Sequence, residues 1–225
     1  GSLRVIQAEY PQDWLTTKVE DSGLKQAEWR TDPKRSGAAG AVGDIGSHTM
    51  HLIEFITGEK LLSVAADLTT FVDGRKLEDD ASVLLRMTNN IKGNLSISQI
   101  ATCEENNFKI SIYGDKGALH WSQENPNYAM FNKLGQANQI VSRGGFIQYD
   151  GSLSSTRVPP GHPEGYLEAF AQIYSDVADV IMNKPNKLEL LDILPNVKDG
   201  LHIMKFINAC VDSSNSNSNW TNLST

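Results

Sequence analysis

The hydrophobic pattern changes period along the chain. Leu3–Tyr10 alternates apolar and polar positions and reads as a strand. Pro11–Lys25 reads as a loop or short helix, and Ala27–Pro33 as a polar segment too irregular for an element. Between Ser36 and Gly58 the period becomes helical. Val42, Ile45, Thr49, Leu52, Ile53 and Ile56 recur on one broad face at ~100° per residue, and Gly58 reads as the C-cap. Period two then returns in Leu61–Val72, Ala81–Thr88, Lys92–Ala101, Phe108–Tyr113, Ala118–Gln123, Tyr128–Lys133 and Gln139–Arg143. Asp73-Gly74, Asn89-Asn90 and Gly114-Asp115-Lys116-Gly117 punctuate these runs as turns. Strands joined so tightly predict an antiparallel meander. Gly144–Pro160 reads as a loop. A helix follows, opening at Gly161-His162-Pro163-Glu164-Gly165-Tyr166, running to about Met182 and stopped by Pro185. Its apolar positions are Leu167, Phe170, Ile173, Tyr174, Val177, Val180 and Ile181. A last helix, about Ile193–Val211, is expected to bury Leu194, Val197, Leu201, Met204 and Phe206. The Ser/Asn-rich end, residues 215–225, reads as a flexible tail.

This order of elements predicts an α+β domain over residues 3–214, with a large, predominantly antiparallel sheet. Val64, Leu68, Val83, Leu85, Leu95, Ile97, Ile110 and Ile112 read as apolar positions spread over both faces of that sheet. The helices cover one face, so an open apolar face would pair with a second copy. The chain's 225 residues suffice for one sizeable domain. A net charge of −7 with no basic run argues against nucleic acid or an anionic membrane as partner. No apolar run approaches the ~20 residues of a membrane span, and no signal peptide is recognisable. Cys103 and Cys210 form no metal or redox motif, which suits a reducing cytoplasm. Gly1-Ser2 reads as a cleavage remnant ahead of a piece of something longer.

The candidate chemistry sits on the first helix. Asp44, His48 and His51 fall on a second stripe, about 120° from the apolar one. Three readings stand side by side. The stripe is a metal site completed from elsewhere, an acid/base pair in which Asp44 sets the charge and tautomer of His48, or a capping Asp with two polar-face histidines. Gly40-x-x-Gly43-x-x-Gly46 is not a dinucleotide fingerprint, because no strand leads into it. It suits close backbone approach instead. Trp29-Arg30 reads as an anion or sugar-hydroxyl contact, or as a packed surface pair. Gly161–Tyr166 reads equally as a plain helix start.

Taken in order, the Gly/Ala run, G-D-I-G-S-H, the apolar helix ending in T-G, Y-G-D-K-G-A-L-x-W and G-H-P-E-G-Y resemble the substrate domain of the Gfo/Idh/MocA oxidoreductases. A-E-Y-P-Q-D-W-L and A-E-W-R-T-D-P resemble its sugar-dehydrogenase branch. The resemblance runs from about Leu3 to Trp220. It implies an open-faced sheet that serves substrate binding and oligomerisation, working with an N-terminal Rossmann domain that binds NAD or NADP. It implies hydride transfer between nicotinamide and a hydroxyl-bearing carbon of a sugar, inositol or related polyol. His48 is then the catalytic proton carrier, with Asp44 orienting it and the substrate. Tyr10, Arg30, His51 and His162 match segments lining the pocket. In this chain His51 stands where many members carry Asp. The nucleotide domain and its E-K-P lysine lie outside the chain, so the chain alone is expected to be inactive. The other readings are a non-catalytic sugar-binding or oligomerisation module, and a metal-dependent isomerase or lyase using Asp44 and His48.

Overall fold

The computed structural model describes residues 1–145, 155–184 and 190–223. Nine strands form one sheet. They are β1 (Leu3–Pro11), β2 (Leu61–Thr69), β3 (Asp80–Met87), β4 (Lys92–Ser98), β5 (Lys109–Gly114), β6 (Gly117–Ser122), β7 (Tyr128–Lys133), β8 (Gln139–Ser142) and β9 (Thr221–Asn222). Their order across the sheet is β8-β7-β6-β5-β1-β4-β3-β2-β9. The meander from β5 to β8 is antiparallel throughout. The first strand departs from the expected pattern. β1 inserts between β4 and β5, antiparallel to β5 and parallel to β4, so that Ala8 faces Ile110 on one side and Leu95 on the other. The long excursion from β1 through β2 and β3 is what allows a parallel neighbour. Gly93 lets the two chains approach, since a Cβ there would lie 3.1 Å from the Ile6 carbonyl oxygen and 3.2 Å from Leu85 Cδ1.

Alternation decides which face is buried. Ile6, Ala8 and Tyr10 of β1 point into the core, and Val5, Gln7 and Glu9 point away. The eight apolar strand residues expected to be spread over both faces serve one face only. Val64, Val83, Leu85, Leu95, Ile97, Ile110 and Ile112 are all buried in the single core, and Leu68 packs against it. The registers pair them with one another (Val64 with Leu85, Val83 with Leu95), which fixes them on one side. The open face mixes polar pairs with other, exposed apolar residues. The registers align Leu84, Asn94, Gln7, Ser111, His120, Met130 and Ile140 across it, and Leu84, Met130 and Ile140 are exposed. Lys109 pairs with Glu9 at 3.1 Å, and Ser111 Oγ lies 2.8 Å from His120 Nδ1.

The helices starting at Ser47 and Val197 lie against the core face of the sheet, and the described residues form six α-helices in all. They are α1 (Lys25–Arg30), α2 (Pro33–Ser36), α3 (Ser47–Thr57), α4 (Tyr166–Ile181), α5 (Leu190–Ile193) and α6 (Val197–Asn215). The segment Ala27–Pro33 is more regular than its sequence suggested. It ends α1 and starts α2, with Pro33 at the first helical position and the Asp32 side chain accepting from Lys34 N. Two such short helices show no period to read. α3 ends as expected at Gly58, whose φ of 69° favours glycine.

α6 packs along β2 and against α3. Its buried residues are Phe206, Ile207, Ala209, Cys210 and Ser213. Of the positions expected there, Phe206 is buried, whereas Val197, Leu201 and Met204 stand exposed and Leu194 is half-buried. Within the Ser/Asn-rich end, Thr221–Asn222 is a strand of the sheet. Ser213 and Ser214 hydroxyls accept from Ala66 N and Leu68 N on β2, beyond its short pairing with β9 at Ser63 and Val64. Trp220 seats under Arg86, whose guanidinium lies 3.8 Å from the ring centroid. Pro185 and the middle of the Gly144–Pro160 loop lie outside the described residues.

Candidate functional site

Because β1 and β4 run parallel, their C-terminal ends emerge side by side. Gln12 N donates to Ser98 O at 2.8 Å, and Leu15 N donates to Gln99 O at 2.9 Å. The helix that carries the candidate residues starts over this end of the sheet. Its start is clamped by the loop before β3. The Glu78 carboxylate accepts from Gly40 N (2.8 Å) and Val42 N (3.0 Å), and Ala41 N donates to Glu78 O. A Cβ on Gly40 would fall 2.1 Å from that carbonyl oxygen, so glycine is required for the approach.

After a single α-type bond from Asp44 N to Gly40 O, the helix is not regular. Val42–Gly46 is a π turn, closed by Ser47 N on Val42 O, and α3 follows. Such turns widen the backbone spiral and change the direction of the residues they contain. The four-residue spacing from Asp44 to His48 therefore does not stack the two side chains as it would in a regular helix. Asp44 turns to other partners. Its Oδ2 accepts from Arg30 Nε at 3.2 Å and from Gln99 Nε2 at 2.8 Å. Arg30 also bonds Gln26 and lies over the Trp29 ring, 4.4 Å from its centroid. No described residue donates to Asp44 Oδ1.

His48 is exposed and His51 half-buried, and neither forms a hydrogen bond with a described residue. Both imidazoles remain available to a ligand. Tyr10 is buried at the end of β1, stacked on Phe108 with centroids 4.7 Å apart, and its hydroxyl accepts from Gln123 Nε2 at 3.4 Å. His162 belongs to a separate constellation. Its described contacts run to Pro159 and to the Arg143 guanidinium, which also pairs with Glu164 at 3.1 Å. The structure thus gathers Arg30 and Asp44 in one hydrogen-bonded group, with His48 one turn further along the helix.

Burial raises the carboxyl of Glu78, although the Gly40 and Val42 amides pull it back. Burial also raises Asp80, against a hydrogen bond from Ser98 and with Asp79 and Asp67 adding to the rise. Both acids stand at the site end of β3. Among the described residues, no group of three or more His, Cys, Asp or Glu side chains comes together to hold a metal.

Two contributors have no motif in the sequence. Gln99 follows β4 in a run, S-I-S-Q-I, that looks like an ordinary strand end. Glu78 sits in an acidic stretch that looks like a solvated turn. A parallel β1–β4 pair was the missing information. It alone puts Gln99 beside Asp44.

The described residues form an α+β domain with an open-faced sheet, with a carboxylate and a guanidinium near the end of the parallel β1–β4 pair. The chain belongs to the Gfo/Idh/MocA family: the model for the GFO/IDH/MocA C-terminal domain matches residues 1–120. It is 29% identical over 225 residues to the uncharacterized oxidoreductase YfiI of Bacillus subtilis, covering 98% of this chain and 57% of that protein. Its fold is similar to that of an oxidoreductase from Sinorhizobium meliloti, with 38% identity, a TM-score of 0.83, and coverage of 98% and 56% of the two chains. It is also similar to an inositol dehydrogenase homolog from Azotobacter vinelandii solved with NAD+, at 26% identity and a TM-score of 0.92, covering 99% and 58%. The chain therefore spans a little over half the length of these relatives.

A nicotinamide dinucleotide would need a strand leading into a glycine turn and a helix N-terminus. Gly40, Gly43 and Gly46 follow a helical turn and not a strand, and their approach is taken up by Glu78 and by the neighbouring Ala39 and Val42 side chains. No described strand–turn–helix presents free amides to a pyrophosphate. The residues present do not fit the dinucleotide.

Proposed function

We propose that this chain is the substrate-binding and acid/base domain of an NAD(P)-dependent dehydrogenase acting on a sugar, inositol or related polyol. The observation that carries the reading is the division of labour at Asp44. One carboxylate oxygen is held by Arg30 and Gln99, and no described residue occupies the other. A carboxylate oxygen fixed in this way accepts a hydroxyl proton from a ligand. His48, exposed one turn on, takes up or returns a proton at the reacting hydroxyl. Arg30 and His51 supply donors to neighbouring hydroxyls. The nicotinamide is held by the part of the longer protein that this chain does not span.

A second feature supports a missing partner domain. None of the sixteen residues of α4 is buried, and Tyr166 and Leu167 are each 76% exposed. Leaving such side chains in water forgoes about 1.5–3 kcal/mol each. The apolar face of α4 is the place where the N-terminal domain docks in this reading. Homo-oligomerisation through the open sheet face is retained as part of the proposal, resting on the exposed Leu84, Met130 and Ile140 among its polar pairs.

The test is a screen of the longer protein encoded by the gene, with NAD+ and NADP+, against myo-inositol, aldoses and other polyols. Reduction of either cofactor by one of these supports the reading. No turnover with any of them overturns it. Calorimetric titration of NADH into the 225-residue chain separates the two parts of the claim. The expected result is no binding, and micromolar binding would place the cofactor site within this chain.

A further inference from the structure

The groups that hold Asp44 form a continuous polar chain. Gln99 Nε2 reaches Asp44 Oδ2 at 2.8 Å across a sequence separation of 55 residues. Gln99 itself is buried, and its backbone is pinned on both sides. Gln99 N donates to Asp79 O at 2.8 Å, and Leu15 N donates to Gln99 O at 2.9 Å. Asp79 is in turn fixed by Arg75 at 3.0 Å, and Arg75 also donates to the carbonyls of Leu15 and Thr17 and to Glu20. The amide of Gln99 is thus aimed by the scaffold and has little rotamer freedom to lose. On the opposite side, Arg30 Nε shares the same carboxylate oxygen.

We propose that Gln99 is a positioning residue that, together with Arg30, saturates Asp44 Oδ2 and so reserves Oδ1 as the acceptor for a ligand hydroxyl. The inference rests on the polyol-dehydrogenase reading for the identity of the ligand. The hydrogen-bond arrangement does not. A carboxylate free to rotate would offer either oxygen to either side. With both donors on Oδ2, one rotamer is favoured and Oδ1 keeps a fixed direction. A donor amide is needed at position 99 because Oδ2 already serves Arg30, and a second carboxylate there would repel Asp44. Hydrogen bonds to an ionised acceptor are roughly twice as strong as neutral ones, which suits this role.

Two measurements test it. The first uses the 225-residue chain and needs no activity. In nitrogen-15 spectra, Gln99→Leu is expected to move the Arg30 Nε–Hε resonance while the backbone amides of α3 stay in place. An unmoved Arg30 signal, or collapse of the α3 amides, would overturn the proposal. The second uses the longer protein with the best polyol from the screen. Gln99→Leu is expected to lower kcat/KM by on the order of 10- to 100-fold, as small misplacements of a reacting group do. The decisive variant exchanges the polarity of the pair. In Asp44→Asn alone, the amide oxygen turns to Arg30 and the ligand meets a donor. In Asp44→Asn with Gln99→Glu, the new carboxylate takes Arg30 and the Asn amide, and the Asn oxygen is free again. The double variant should exceed Asp44→Asn by at least about fivefold in kcat/KM, a coupling that contacting residues show and independent ones do not. Activity no higher than in the single variant sinks the proposal. If the longer protein turns over no polyol, the functional reading fails, and the nitrogen-15 result still decides the role of Gln99.

Discussion

Arg75 Nη1 lies 3.0 Å from Asp79 Oδ2, and the two side chains are 1% and 0% exposed. Few ion pairs are buried so completely. The pair persists because every other donor and acceptor around it is used. Arg75 also holds Glu20 at 3.0 Å and two backbone carbonyls, while Asp79 accepts from Phe71 N and Val72 N. It ties the segment after β1 to the loop between β2 and β3, at the end of the sheet that bears Asp44.

Arg75→Met should therefore destabilise the chain by about 3–5 kcal/mol, because it strands two carboxylates in a dry environment. Urea unfolding monitored by tryptophan fluorescence reads this directly. A loss under about 1 kcal/mol would show that water reaches the site and that the network is not a clamp. Glu20 gives the pH signature. Burial raises its carboxyl, but Arg75 and the backbone outweigh that and leave it lowered. Its contribution is present above the unfolded value and is lost as the pH falls through the folded one.

Glu78 should behave in the opposite sense. Its folded value is raised above 4.5 by burial. The folded chain then keeps a proton that the unfolded chain has released, so the contribution of Glu78 declines as pH rises from 4.5 through the folded value. Glu78→Gln removes this titration and leaves the other groups in place. The stability of the parent chain relative to Glu78→Gln should decrease as the pH rises from 4.5 through the raised folded value. Urea midpoints at several pH values would reveal it. A difference that is flat, or that grows with pH, would mean that the Gly40 and Val42 amides dominate over burial.

Legibility in the sequence followed the range of the interactions. The strands were readable because alternation is local, and α4 because its apolar stripe runs for four turns. The motif singled out Asp44 and His48 as candidates, and the structure sets Asp44 against Arg30 and Gln99. What could not be read was long-range. Nothing local says that β1 runs parallel to β4, so neither Gln99 nor its bond to Asp44 could be placed. The π turn at Val42–Gly46 was hidden because V-G-D-I-G has the apolar spacing of an α-helix. The exposure of Val197, Leu201 and Met204 was missed for a related reason. A stripe shows which residues want burial, not whether the neighbour that buries them is in the chain.

That reasoning yields a test on α4. Leu167→Asp with Ile173→Asp should leave the stability of the 225-residue chain within about 0.5 kcal/mol, since both side chains already face water. In the longer protein the same pair should lower stability markedly and reduce affinity for the cofactor. Parallel unfolding of the two proteins makes the comparison. Equal, small effects in both would mean that α4 faces solvent in the whole protein too.

The last prediction concerns the proton. In the longer protein, His48→Ala should lower kcat by ~10²–10⁴-fold while KM changes far less. A group that takes a proton acts chiefly in the transition state, so its loss falls on kcat. The structure supports this assignment in one respect: His48 is exposed and no described residue occupies its ring nitrogens. His48→Asn should be nearly as damaging, because an amide keeps a hydrogen bond but cannot carry a proton. His51→Ala should do less. Its ring is half-buried and sits almost another turn from Asp44, which suits contact with a neighbouring hydroxyl and a larger effect on KM. The limb of the pH–rate profile set by imidazole protonation should vanish in both His48 variants. If His51→Ala costs more in kcat than His48→Ala, the proton carrier lies one turn further down α3. If neither substitution matters, the two imidazoles are surface side chains, and the acid/base role of this helix face is lost with them.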